Sequence, residues 1–181
     1  MVREEPRKEG TEKLSGSSFL EAIDRLNLYA GKAAAWLFLP LTLLIVYDVF
    51  LRYVLDDPTI WAWDVNVQLM GAFVALGGGY TLLHGGHVSV DVLTSKMKPQ
   101  KRAVLDAVTS FLSILGLGVL LWRVAIYAWQ AVVTQEHFTS TWYPPIYPLK
   151  LIIAFGIGAM FLQAIATFIR RIHSIRTQIG V

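Results

Sequence analysis

Four long apolar stretches dominate the chain, at residues 33–53, 62–83, 103–129 and 146–169, and polar or charged segments separate them. About 20 residues at 1.5 Å rise cross the ~30 Å hydrocarbon layer of a bilayer, so each stretch is long enough to be a membrane-spanning helix. The spaces between them are short, and little sequence remains for a water-soluble core. The pattern predicts an all-α, polytopic membrane domain over 17–172, flanked by charged tails at 1–16 and 173–181. The first tail has neither periodicity nor apolar mass, which predicts disorder.

Two segments show a weaker, one-sided pattern. Ser18 and Glu21 fit a capping box, and Phe19, Ala22, Ile23 and Leu26 then follow on one helical face. This predicts an amphipathic helix on the inner membrane surface that runs into the first span. Val90, Leu93 and Met97 suggest a second short interfacial helix, before Pro99 opens the third span. The long charged N-terminal stretch followed by a full-length apolar run reads as an uncleaved anchor.

Composition sharpens the class. Hydrophobic residues make up 55% and charged residues 16% of 181 positions, well below the roughly 25% charged of soluble domains. The absence of cysteine excludes disulfides, thiolate metal sites and redox thiols. A net charge of +3 is better explained by basic loops on one side of a membrane than by nucleic acid.

The basic residues sort by side. Arg3, Arg7, Lys8, Lys13, Arg25 and Lys32 precede the first span; Lys96, Lys98, Lys101 and Arg102 lie between the second and third; Arg170, Arg171 and Arg176 follow the fourth. The other two connections carry Asp56, Asp57 and Glu136. The positive-inside rule puts both termini in the cytoplasm. Trp61, Trp63, Trp129, Trp142, Tyr143 and Tyr147 crowd the opposite, outer side, as an interfacial aromatic belt would.

Candidate chemistry is sparse. In LLHGGHVSVDVL (82–93), His84 and His87 could share a helical face and Asp91 could follow one turn later, but Gly85-Gly86 between them favours a helix end over a metal site. Haem held between histidines, with His84, His137 and His173 as the available residues, is an alternative, although no two of them fall inside different spans at matching depth. Asp48, Arg52, Asp64 and Arg123 are charged positions in or at the ends of spans, and such residues usually face protein or water. Asp48 and Arg52 are one turn apart. Arg123 is expected to pair with Asp48 or with an acidic group of a partner subunit. Gly71, Ala75 and Gly79 in the second span, with Ala154 and Gly158 in the fourth, form small-residue stripes that suit close helix packing within the chain or against another subunit.

The order of motifs resembles the DctQ-type small membrane subunit of TRAP (tripartite ATP-independent periplasmic) transporters. Arg52-Tyr53 closes the first span, and Pro58, Trp61, Trp63 and Asp64 lead into the second. His87 and Asp91 follow it, and Ser140, Trp142, Pro144, Pro145, Pro148 and Lys150 precede the fourth, which carries Gln163. The likeness extends over about residues 25–172. One departure is Trp63-Asp64, where the family often has two adjacent acids. The resemblance implies no enzyme, no ATPase and no cofactor in this subunit. It implies a large polytopic partner that holds sodium and substrate and moves as an elevator, a periplasmic binding protein that delivers an organic acid, and a bacterial or archaeal inner-membrane location. The competing class is a haem- or quinone-binding anchor of a respiratory oxidoreductase.

Overall fold

The computed structural model describes residues 18–85 and 99–179, with side chains over 19–85, 108–170 and at 172. Four helices account for nearly all of this: α1 (Ser18–Val54), α2 (Ala62–Leu83), α3 (Pro99–Val133) and α4 (Tyr147–Ile179). Each contains a segment long and apolar enough to cross a membrane. α3 continues to Val133, four residues past the 129 expected from hydropathy.

The sequence signals for helix ends translate directly. α2 stops at His84, whose backbone N–H bonds Tyr80 O, and Gly85 follows with φ +69°, the left-handed conformation that glycine adopts without penalty. α3 begins at Pro99, where a missing N–H costs nothing. α4 begins at Tyr147, so Pro148 falls in its first turn, while Pro144 and Pro145 stay outside it.

The Ser18–Leu26 stretch is the start of one unbroken 37-residue helix that continues into the first span. Ile23 and Asn27 are buried, and Asn27 bonds α4, so this face packs on protein. Pro40 sits inside the helix, which continues through it. The second interfacial helix, with Val90, Leu93 and Met97, lies outside the described residues, as do His87 and Asp91.

The helices do not close into a symmetric four-helix bundle. α1 packs along α2, α2 along α4, and α4 along α3; α1 also meets α4. Among the described residues, α3 has extensive contact only with α4. The buried residues are mostly small: Ala30, Ala34, Ala62, Ala72, Ala128, Ala131, Ala159, Ala164 and Ala166. Large side chains such as Trp36, Phe50, Trp122 and Trp129 point outward. Lipid tails are as apolar as leucine, so burying large residues gains little; small ones let backbones approach and gain dispersion contacts. The inside-out distribution is that of a membrane protein.

Candidate functional site

The polar side chains gather at the two ends of the helix assembly. At the end nearer the chain termini, which the positive-inside rule makes the inner one, Asn27 of α1 and Gln163 of α4 have no exposed surface. Asn27 Nδ2 donates to Gln163 Oε1 at 2.9 Å and faces Ile23 O at 3.0 Å and Ala159 O at 3.3 Å. Gln163 Nε2 donates to Asp24 Oδ1 at 3.0 Å, and Arg170 Nη2 donates to Asp24 Oδ2 at 2.6 Å. The series Arg170–Asp24–Gln163–Asn27 ties α1 to α4. Within this series Asn27 Oδ1 is buried without a hydrogen-bond partner, and it lies against Gly79 of α2, where a Cβ would overlap it.

The outer end holds three smaller links. Asp48 accepts from Arg52 Nη2 at 3.0 Å and from the hydroxyl of Thr59, which fastens the α1–α2 connection to the end of α1. Asp64, 3% exposed in the first turn of α2, accepts from Ser140 Oγ at 2.5 Å. Its carboxylate also sits where the free N–H groups of a helix start favour negative charge. Lys150 Nζ donates to Glu136 Oε2 at 2.6 Å, spanning the α3–α4 connection.

That connection is folded. Phe138 N–H bonds Pro144 O and Ile146 N–H bonds Glu136 O, both at 2.9 Å, and His137 faces Pro145 in an antiparallel bridge. The His137 and Tyr143 rings stack at 4.7 Å, 4° from parallel. Trp61 contacts Tyr47 and Trp142, each with ring centroids 6.4 Å apart, joining α1 and both outer connections. The Ser140–Lys150 motif therefore builds a platform: Ser140 holds Asp64, Trp142 holds Trp61, and Lys150 holds Glu136.

Of the two partners expected for Arg123, Asp48 or an acidic group of a partner subunit, Asp48 is not its neighbour within this chain. Arg123 Nη2 donates to Tyr127 Oη at 3.1 Å, and the guanidinium lies 5.3 Å from the Tyr127 ring. Asp48 is occupied by Arg52 and Thr59, while α3 packs on α4. The small residues are also redistributed. A Cβ on Gly71 would press on Leu149 and one on Gly79 on Asn27, so this stripe serves packing inside the chain. On α4 the tight position is Gly156, whose absent Cβ leaves room for the Ala75 carbonyl; Gly158 has only ordinary contact with Leu121. Ala154 is half-buried. Sequence reasoning missed Asp24, Asn27, Thr59 and Gly156. Asp24 and Asn27 share the face of Ile23, a polar patch on an apolar stripe that could have marked them.

His84 Nδ1 lies 3.0 Å from Tyr80 O, with its ring 4.1 Å from that of Tyr80, at the inner end of α2. His137 is at the outer end, so these two cannot share a haem. Among the described residues no group of three His, Asp or Glu side chains could hold a metal.

Four apolar spans and small-residue helix contacts define a multi-pass all-α membrane protein. A family model described as "Tripartite ATP-independent periplasmic transporters, DctQ component" matches residues 41–174, and the chain belongs to that family. It is similar to the C4-dicarboxylate TRAP transporter small permease protein DctQ of Vibrio cholerae serotype O1 (strain ATCC 39315 / El Tor Inaba N16961), at 26% identity over 101 residues. That likeness covers 56% of this chain and 43% of the relative, less than half of the relative's length.

Proposed function

We propose that this chain is the scaffold subunit of a three-part, sodium-gradient-driven transporter for an organic acid. It supports a larger membrane subunit that moves substrate by an elevator motion, and it offers its outer platform to a periplasmic binding protein. Both termini lie in the cytoplasm, and sodium binds in the large subunit, with no cofactor in this one. The membrane domain is 17–172, with cytoplasmic tails on either side.

The observation that carries this reading is the division of labour in the structure. Its charged and polar links sit at the two ends and fasten helices or loops together, and α3 hangs on one neighbour at the edge. A helix left at an edge suits a chain completed by a partner. The folded Glu136–Lys150 connection, laced to Asp64 and Trp61, gives the outer face a fixed shape that a soluble protein could meet. The family membership supports transport as the process, and the small permease relative from Vibrio cholerae supports a dicarboxylate as one substrate class.

The test is uptake in proteoliposomes containing the proteins encoded beside this chain, with and without it, under an imposed sodium gradient. Uptake should require this chain, the large subunit and the binding protein together. Full uptake without this chain would end the reading, as would a tag on either terminus found outside the cytoplasmic membrane.

A further inference from the structure

The exposed face of α3 carries a feature that neither lipid nor this chain's own packing accounts for. α3 turns Ile114, Leu117, Leu121, Ala128 and Ala131 toward α4. On a flank of α3 about a quarter-turn round from that face, Ser113, Gly116, Leu120, Arg123, Tyr127 and Gln130 recur at the alternating three- and four-residue spacing of a helix-packing seam, and all are exposed, while the side opposite α4 carries Leu115, Val119, Trp122 and Trp129. Only one of the six is aliphatic. The outward surface of α1 is a useful contrast, since Trp36, Leu39, Leu43, Val46 and Phe50 make it uniformly large and apolar, as lipid prefers.

Two positions on the α3 seam point independently to a protein. Arg123 is an exposed cation about 15 Å along the helix axis from Val133, and its hydrogen bond to Tyr127 still leaves roughly 9 Å of helix beyond that residue. A tyrosine hydroxyl orients the guanidinium but does not neutralise it, and an ionised side chain at such depth calls for a counter-charge. Gly116, two turns further in on the same face, would meet nothing within 4 Å if it had a Cβ. A glycine weakens a helix, so one that the chain's own packing does not need suits a close approach by another backbone.

We infer that this α3 seam is the docking face for a membrane helix of the larger subunit, one that crosses closely at Gly116 and presents an aspartate or glutamate to Arg123. The inference rests on the subunit reading above and names the surface by which that assembly forms. A second copy of this chain is the wrong occupant, because a two-fold pairing along the seam would set Arg123 against Arg123. Lipid is the wrong occupant too, because a hydrocarbon tail offers the Arg123 guanidinium no counter-charge.

The test uses the full-length tagged chain produced with its genomic neighbours, carrying a photoreactive benzoylphenylalanine at Leu120 or Gln130, or at Leu43 on α1 as the contrast. Adducts to a larger membrane protein should form from Leu120 and Gln130 and not from Leu43. In parallel, Arg123→Leu should lower recovery of the larger protein at least tenfold while leaving the melting temperature of the isolated chain unchanged. Arg123→Lys should retain more of the partner than Arg123→Leu does. Adducts from Leu43 alone, or from the seam only to lipid or to a second copy, overturn the inference while leaving the subunit reading in place. Equal loss of stability in the isolated Arg123→Leu chain also overturns it. If the wild-type chain captures no larger membrane protein at all, both fall.

Discussion

Asn27 Oδ1 occupies the space that a side chain on Gly79 would take. Gly79 lets α2 lie against the point where α1 and α4 are joined by Asn27 and Gln163, so three helices converge at one residue without a methyl group. Gly79→Ala should destabilise the purified chain by about 1–3 kcal/mol, the usual cost of overpacking. Asn27→Ala in the same chain should recover part of that loss, because the overlapping atom is gone. Thermal unfolding in detergent would read both, and strictly additive effects would show that the two residues do not compete for space.

The inner link also ranks its members. Gln163 is fully buried and joins Asn27 to Asp24, whereas the Arg170 and Asp24 side chains are 35% and 30% exposed. Partly exposed ion pairs contribute about 0–1 kcal/mol and are screened by salt. Removing a side chain that serves buried Asn27 and partly exposed Asp24 leaves both short of a bond, at about 1–3 kcal/mol for the buried partner before rearrangement. Gln163→Leu should therefore cost more than Arg170→Ala, and raising salt should shrink only the Arg170 effect. The reverse order in denaturant titrations would place the strength of the link in the ion pair.

At the outer end, the Ser140–Asp64 bond predicts a coupling. Ser140→Ala should cost about 1–3 kcal/mol because it takes a donor from a buried carboxylate. In an Asp64→Asn background the same change should cost much less, and the difference measures their interaction. Limited proteolysis at the α3–α4 connection offers a local readout, with faster cleavage expected in the Ser140→Ala chain. Unchanged cleavage would mean that the aromatic contact of Trp142 with Trp61 holds the connection by itself.

The sequence showed some of this clearly and hid the rest for physical reasons. Hydropathy alone marks the four spans, because the bilayer sets a length that soluble helices need not meet. Glycine and proline marked the end of α2 and the start of α3. Which polar groups meet could not be read, because that depends on which helices are neighbours. Arg123 and Asp48 do not meet, because α3 packs on α4 and has no comparable contact with α1 among the described residues. Asn27 and Gln163, far apart in the chain, meet only because α1 and α4 cross at the inner end. Asn27 also sits early in its helix, where an exposed amide facing headgroups would look the same in sequence. The family match covers residues 41–174, so Gln163 and Arg170 lie inside it while Asp24 and Asn27 lie outside.

The last prediction separates two glycines that sequence pattern treats alike. Gly156 and Gly158 lie two positions apart in the run AFGIGAM of α4 and face different helices. At Gly156 a Cβ would run into the backbone carbonyl of Ala75, and backbone in a packed helix cannot step aside as a flexible side chain can. Gly156→Ala should push α2 and α4 apart and cost about 1–3 kcal/mol. At Gly158 a Cβ would sit 3.8 Å from Leu121 Cδ1, an ordinary contact, so Gly158→Ala should be neutral or stabilise by about 0.4–1 kcal/mol through the lower entropy of the unfolded chain. Gly116→Ala should behave like Gly158→Ala in the isolated chain, since its Cβ would meet open space. Melting temperatures of the three variants in one detergent would decide it: a loss at Gly158 equal to that at Gly156 would mean that α4 turns a different face to α2 from the one described.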